Sequence, residues 1–240
     1  MKKKKIFLGI VTALIIFANA CKPADYYYGE YLENGEVYYP GRVDSLSIIP
    51  GNERAQLRFR ATTDPKVNKV KVYLRSSLSP KPDVLSFPIN VGEHGKFKLI
   101  DLNNLSEATY TANVYSFSSE KDSSRVVSAS QFIYGKSYIN TLVNRAFSKF
   151  DLTAPSKPYL VFARENNLPK EGSFYHMQFT EVTYLSNKGD STKVQVTPYH
   201  DYVELVDIAK PSTLKYRTFY KPVQTSIDYF TTAFEDIEFK

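Results

Sequence analysis

A second cysteine is missing from this sequence, tryptophan is missing altogether, and only three histidines, His94, His176 and His200, are spread along it. One cysteine cannot close an internal disulfide, which excludes the stapled scaffolds of small secreted proteins. No histidine pair has H-x-x-x-H spacing and none stands at ligand spacing from the cysteine, so a zinc centre is set aside. G-x-S-x-G, a glycine-rich phosphate loop and an EF-hand loop are also lacking. The acids are scattered, with Glu235, Asp236 and Glu238 the densest group. Nowhere do about 20 apolar residues run together, the length a bilayer-crossing helix needs. The expectation is a non-enzyme that requires no cofactor.

What is present begins at the N-terminus. Lys2 to Lys5 are four consecutive cations, and Ile6 to Ala18 is an uncharged stretch of 13 residues broken only by Gly9 and Thr12. A cationic start followed by a short apolar run has the form of a secretory signal, expected over residues 1–20. The whole chain carries 31 basic and 25 acidic side chains. Residues 1–20 hold four of the basic ones and no acids, so the exported chain has 27 against 25, a balance of +2. The high pI belongs largely to the leader, and nucleic acid is dropped as a partner. The remaining 220 residues suffice for one large core or two ordinary ones.

The cysteine is Cys21, the first residue after that leader. Lipid attachment, a catalytic thiol and a leftover residue compete for it. A thiol nucleophile needs a base within hydrogen-bond reach and a packed pocket, and a chain terminus is usually poorly ordered. Phe17-Ala18-Asn19-Ala20-Cys21 resembles a bacterial lipobox, in which small residues precede a cysteine that is diacylated and becomes the new N-terminus. The resemblance implies a diacylglycerol thioether on Cys21, and two acyl chains anchor stably where one binds marginally. Ala18 stands where lipoboxes most often have Leu, and Ala18-Asn19-Ala20 also fits the A-x-A rule of ordinary signal cleavage. Ordinary cleavage would expose an unpaired thiol, so lipidation is the preferred reading. Lys22 lacks the acidic side chain associated with inner-membrane retention. The expected address is therefore the outer membrane of a cell envelope, on its surface or periplasmic face, with the membrane as partner through the lipid.

Beyond a tether over 21–42 the pattern has period two. Val43 to Ile49 leads into Pro50-Gly51-Asn52, a turn signal. In Ala55 to Ala61, Leu57, Phe59 and Ala61 face one way and the arginines the other. Val70, Val72 and Leu74 alternate with Lys69, Lys71 and Tyr73, and further candidates run over 84–91, 96–100, 109–117 and 125–134. Seven short strands joined by Gly, Pro, Asn and Ser clusters predict a β-sandwich over 43–136. Leu102 to Tyr115 resembles the penultimate strand of a fibronectin type III domain. That resemblance implies that Tyr110 is a tyrosine-corner residue whose hydroxyl bonds to the backbone near Leu105. With no Trp available, Phe59 is the candidate for the core aromatic.

From Ser137 to Phe150, Ile139, Leu142, Val143, Ala146 and Phe147 recur at spacings of three and four, which predicts a short helix or linker over 137–150. Strand patterns return over 173–185, 192–198, 203–208 and 215–220, with Ser186 to Asp190 as a turn, and predict a second, smaller sandwich over 151–240. The fold class expected is all-β: two tandem sandwiches, fibronectin type III-like or immunoglobulin-like, after a lipoprotein signal peptide.

His200-Asp201 resembles the dyad of metal phosphohydrolases, but it lies between Tyr199 and Tyr202 in a strand context, and a polar pair at a strand end is the preferred reading. Tyr26, Tyr27, Tyr28 and Tyr31, followed by Tyr38 and Tyr39, form an aromatic cluster beside the lipid site. The first four are candidate ligand-binding residues, because aromatic faces stack on the C–H faces of sugars and are enriched at recognition surfaces. A plainer reading weighs more: the triplet sits by the membrane, and Tyr38 and Tyr39 pack as an N-terminal arm.

The stretches Tyr31 to Asp44, Asp64-Pro65-Lys66-Val67, Tyr216-Arg217-Thr218 and Ile227-Asp228-Tyr229-Phe230 resemble an uncharacterised family of Bacteroidota surface lipoproteins. The resemblance implies a cell-envelope lipoprotein, often met beside carbohydrate-binding modules, with no catalytic residues to carry over. Two functions follow. One is a lipid-anchored module that captures glycan or another extracellular polymer; the other is a structural or adhesive subunit that contacts envelope proteins. The C-terminal Phe234 to Phe239 is either a closing strand or a segment exchanged with a partner.

Overall fold

The computed structural model describes Gly29, residues 38–153 and residues 157–240. The leader, Cys21, Tyr26, Tyr27, Tyr28 and Tyr31 lie outside the described residues. Pro40–Lys240 forms one compact unit. Among the described residues no helix is long and apolar enough to cross a membrane.

Seven strands come first: β1 (Asp44–Pro50), β2 (Ala55–Arg60), β3 (Lys69–Ser76), β4 (Asp83–Pro88), β5 (Phe97–Leu102), β6 (Ala108–Phe117) and β7 (Val127–Ile133). They pair antiparallel into a three-stranded sheet, β1-β2-β5, and a four-stranded sheet, β4-β3-β6-β7. Alternation explains the sandwich. Leu57 and Phe59 on β2, Val70, Val72 and Leu74 on β3, and Ala112 and Val114 on β6 enter one core, while Lys71, Tyr73, Asn113 and Tyr115 between them keep access to solvent. Burying each Leu- or Phe-sized side chain contributes about 1.5–3 kcal/mol. Phe59 is fully buried in this core.

The next segment departs in part from expectation. A short helix or linker is expected over 137–150; α1 supplies the short helix at Lys136–Thr141, and Leu142 is already extended. Phe147–Asp151 is a strand, β8. The spacing misleads because no apolar helical stripe is buried: Val143 is 72% exposed, while Phe147 and Phe150 turn into the second core, with Phe150 4.8 Å from Phe239 between ring centres.

After β8 follow β9 (Tyr159–Phe162), β10 (Met177–Leu185), β11 (Ser191–Val196), β12 (Tyr202–Glu204), β13 (Ser212–Tyr220), β14 (Phe230–Thr231) and β15 (Glu235–Phe239). One sheet has the order β12-β9-β8; the other runs β11-β10-β13-β14, with β15 also paired to β13. Leu160, Phe162, Val182, Tyr184, Leu205, Leu214, Tyr216 and Phe239 fill the space between them. Two expected strands shorten. The strand expected from Ser173 begins at Met177, where a register shift interrupts pairing, and that expected over 203–208 ends at Glu204. The C-terminal segment closes the fold: β15 lies on β13 from Ser212↔Phe239 to Tyr216↔Glu235.

The two sandwiches are joined by more than the covalent link. Glu107 accepts hydrogen bonds from the Ser137 and Tyr138 N–H groups at the start of α1, 2.7 and 2.9 Å. Tyr138 then packs edge-on against Tyr134 and against the buried Phe230 of the second sandwich, centroids 5.0 and 5.1 Å apart. Across the same joint the Asp228 carboxylate takes the Arg54 guanidinium at 2.5 and 2.8 Å and the Asn52 N–H at 2.9 Å, and the Ile227 N–H donates to Pro50 O. Gly51 is required there, since a Cβ would run into Asp228 and Ile227.

Candidate functional site

Tyr110 opens β6 with its ring buried, and its hydroxyl accepts the Ser106 N–H at 3.0 Å, pinning the loop that enters the strand. The histidines do not converge. His94 Nδ1 lies 3.2 Å from Thr62 O, His176 stacks on Tyr220, and His200 Nδ1 meets the Thr197 hydroxyl at 3.0 Å. Among the described residues no three His, Cys, Asp or Glu side chains are grouped to hold a metal ion.

The His200-Asp201 pair is engaged by Arg145, a residue with no sequence signal of its own. Arg145 is 1% exposed. Its N–H donates to Thr218 Oγ1, its Nη1 to the carbonyls of Thr197 and His200 at 3.2 and 2.8 Å, and its Nη2 to Asp201 Oδ1 at 3.2 Å. Glu165 lies 3.8 Å from Nε, too far for a hydrogen bond, and itself receives the Tyr175 hydroxyl. Burial lowers the guanidinium pKa, opposed by the charges of Glu165 and Asp201. This is a clamp tying the start of β8 to the loop before β12. Two of the Arg145 side-chain bonds go to backbone carbonyls and a third to Asp201, so the guanidinium holds the backbone of that loop in place. Beside it Tyr220, which donates to Val143 O at 2.7 Å, has its pKa pushed up to about 12 by burial and then by Glu165.

A different feature faces solvent on the five-stranded sheet. The register pairs Phe179 on β10 with Phe219 on β13, and their rings stack 4.4 Å apart at 21°. Tyr229 meets both edge-on, at 5.6 and 6.1 Å. Arg217 lies 4.8 Å over Phe219 and 4.6 Å over Phe234, held by Glu181 at 3.2 Å, and Lys221 lies 4.9 Å over Tyr229. Tyr229 and Phe234 are each 49% exposed. The patch comes from three strand neighbourhoods and the loop before β14. Its construction explains the Ile227-Asp228-Tyr229-Phe230 stretch residue by residue: Ile227 and Asp228 serve the joint, Tyr229 the patch, and Phe230 the buried aromatic contact. Sequence reading missed this patch because it depends on the pairing of β10 with β13, and looked instead to the N-terminal tyrosines.

The strand order defines an all-β protein of two tandem antiparallel β-sandwiches. The chain belongs to the family DUF4998, a domain of unknown function, whose profile matches residues 21–230. No curated protein sequence matches it. Among solved structures it is similar to the FN1–FN3 domains of chicken CNTN1, with 8% identity and a TM-score of 0.47 over 84% of this chain and 66% of that one. It thus spans just under two thirds of that segment. It is also similar to a segment of two fibronectin type III domains from chicken tenascin, with 13% identity and a TM-score of 0.32 over 83% of this chain and 99% of that one.

Proposed function

We propose that this chain is a non-catalytic contact protein of the bacterial cell envelope, held by lipid on Cys21 and engaging a protein partner through the second sandwich. The observation that carries the contact is the Phe179, Phe219, Tyr229 and Phe234 patch under Arg217. Aromatic side chains and arginine are the residues enriched in the cores of protein interfaces and in their energetic hot spots. Phe179 and Phe219 stack face to face on each other instead of lying open for a sugar ring, so the adhesive reading gains over polymer capture at this face. The lipid anchor is supported by the lipobox-like stretch ending in Cys21 and by the leader before it.

Contact is tested by a benzophenone side chain installed at position 229 on intact cells. A discrete adduct with one envelope protein is expected from that position and none from position 91, where Val91 is 93% exposed on the first sandwich. Loss of the adduct when Phe219→Ala is added ties it to the patch; no adduct at all overturns the reading. The anchor is tested by palmitate labelling, expected in the wild type and lost in Cys21→Ser.

A further inference from the structure

A groove on the outer face of the first sandwich has a different chemistry. It has a volume of about 400 Å³, within the range of about 300–1,000 Å³ usual for small-molecule sites. Tyr73 on β3 and Tyr115 on β6 form one wall, edge to face with centroids 5.7 Å apart, and Pro80 and Pro82 of the β3–β4 turn form the other. Arg75, Asn113 and Ser123 supply polar groups beside the tyrosine hydroxyls. Arg75 is exposed, and its guanidinium has no hydrogen bond or ion pair among the described residues. Asn113 Oδ1 already accepts the Ser128 hydroxyl at 2.7 Å, which leaves its amide N–H groups to donate. No carboxylate lines the groove.

We propose that this groove binds an anionic saccharide, a glycan carrying uronic-acid carboxylates. The ring pair and the prolines offer apolar walls for the C–H faces of a sugar ring. Arg75 offers a planar fork whose geometry matches a carboxylate, and it has no competing acid to displace. Lys69 and Lys71 continue the row of cations along β3, both answered by the single, largely exposed Glu120. An acidic peptide fits less well, because its carboxylate would meet Arg75 while its backbone brings no ring face for Tyr73 and Tyr115. The site goes beyond the protein contact at Tyr229 and lies on another sheet of another sandwich, so either assignment stands or fails alone.

The test is calorimetric titration of the purified chain with tetragalacturonate, its methyl-esterified form and polyglutamate. Binding of tetragalacturonate is expected, weakened at least tenfold by esterification, by Arg75→Gln and by Tyr115→Ala, with Arg75→Lys in between and Tyr229→Ala without effect. Unchanged circular dichroism in each variant separates lost binding from lost folding. Absence of binding, equal binding of the ester, or equal binding of polyglutamate overturns the proposal.

Discussion

At the centre of the first sandwich sit Leu57, Phe59, Val72 and Val114, side chains without a polar atom; at similar depth the second sandwich holds Arg145. Around that arginine the second sandwich also buries Thr180 and Thr218, whose hydroxyls lie 3.3 Å apart, and Thr232, whose hydroxyl accepts the Thr218 N–H. The first sandwich can rely on area removed from water. The second, with shorter strands and a three-stranded sheet whose edge strand β12 has three residues, holds its loops by hydrogen bonds to one buried cation. Apolar packing tolerates small shifts of its partners, whereas a buried charge is destabilised when an acceptor it uses is removed.

That contrast can be broken in order of size. Phe59→Ala is expected to cost the first sandwich about 3–5 kcal/mol, read from urea unfolding, as for any large aromatic removed from a packed core. Arg145→Ala is expected to cost the second about 3 kcal/mol, toward the low end for breaking a buried pair because Asp201 and Glu165 keep partial access to water. Arg145→Met, which refills the space, should lose less. If Arg145→Ala costs under about 1 kcal/mol, the polar-centre account of the second sandwich fails. Tyr110→Phe removes the acceptor for the Ser106 N–H and should cost about 1–2 kcal/mol in the first sandwich alone.

Asp228→Asn, at the joint, is expected to have the smallest effect, about 1 kcal/mol, since Arg54 is well exposed. Its signature is in pH. Hydrogen bonding from Arg54 holds the Asp228 pKa below its ordinary value, so the contribution is complete above about pH 4 and is lost as pH falls further. Small-angle scattering should show the wild-type pair loosening at pH 3 relative to pH 7, and the Asn variant a smaller change, that left by protonation of Glu107 at the same joint.

The first sandwich was legible because one face of each of its strands is wet, which writes period two into the sequence. Six of the seven strands, β2 to β7, carry stretches such as Val70-Lys71-Val72 or Tyr110-Thr111-Ala112, where neighbours alternate between more and less buried positions. In the second half the signals conflict. Phe147 and Phe150 sit three apart because β8 has a register shift between Phe147 and Lys149, and that irregularity imitates a helix. β9, Tyr-Leu-Val-Phe, has four residues, too few to show a period. Arg145, between Asn144 and Ala146, reads as a solvated charge, and nothing local marks it as buried. The aromatic patch and the groove at Arg75 both depend on cross-strand register, Phe179 opposite Phe219 and Tyr73 opposite Asn113, which only the paired sheets reveal.

The Arg54–Asp228 clamp also has a mechanical meaning. A pull entering through β1 and resisted at the Tyr229 face crosses the joint through the covalent stretch at α1, through the packing of Tyr134 and Tyr138 on Phe230, and through the bridge between residues 50–54 and 227–228. The bridge is shorter along the chain from either sandwich, so tension reaches it first, and the helical link comes under load only after it lets go. Under tension the bridge is expected to part before either sandwich unravels, with the helical link left behind as a leash.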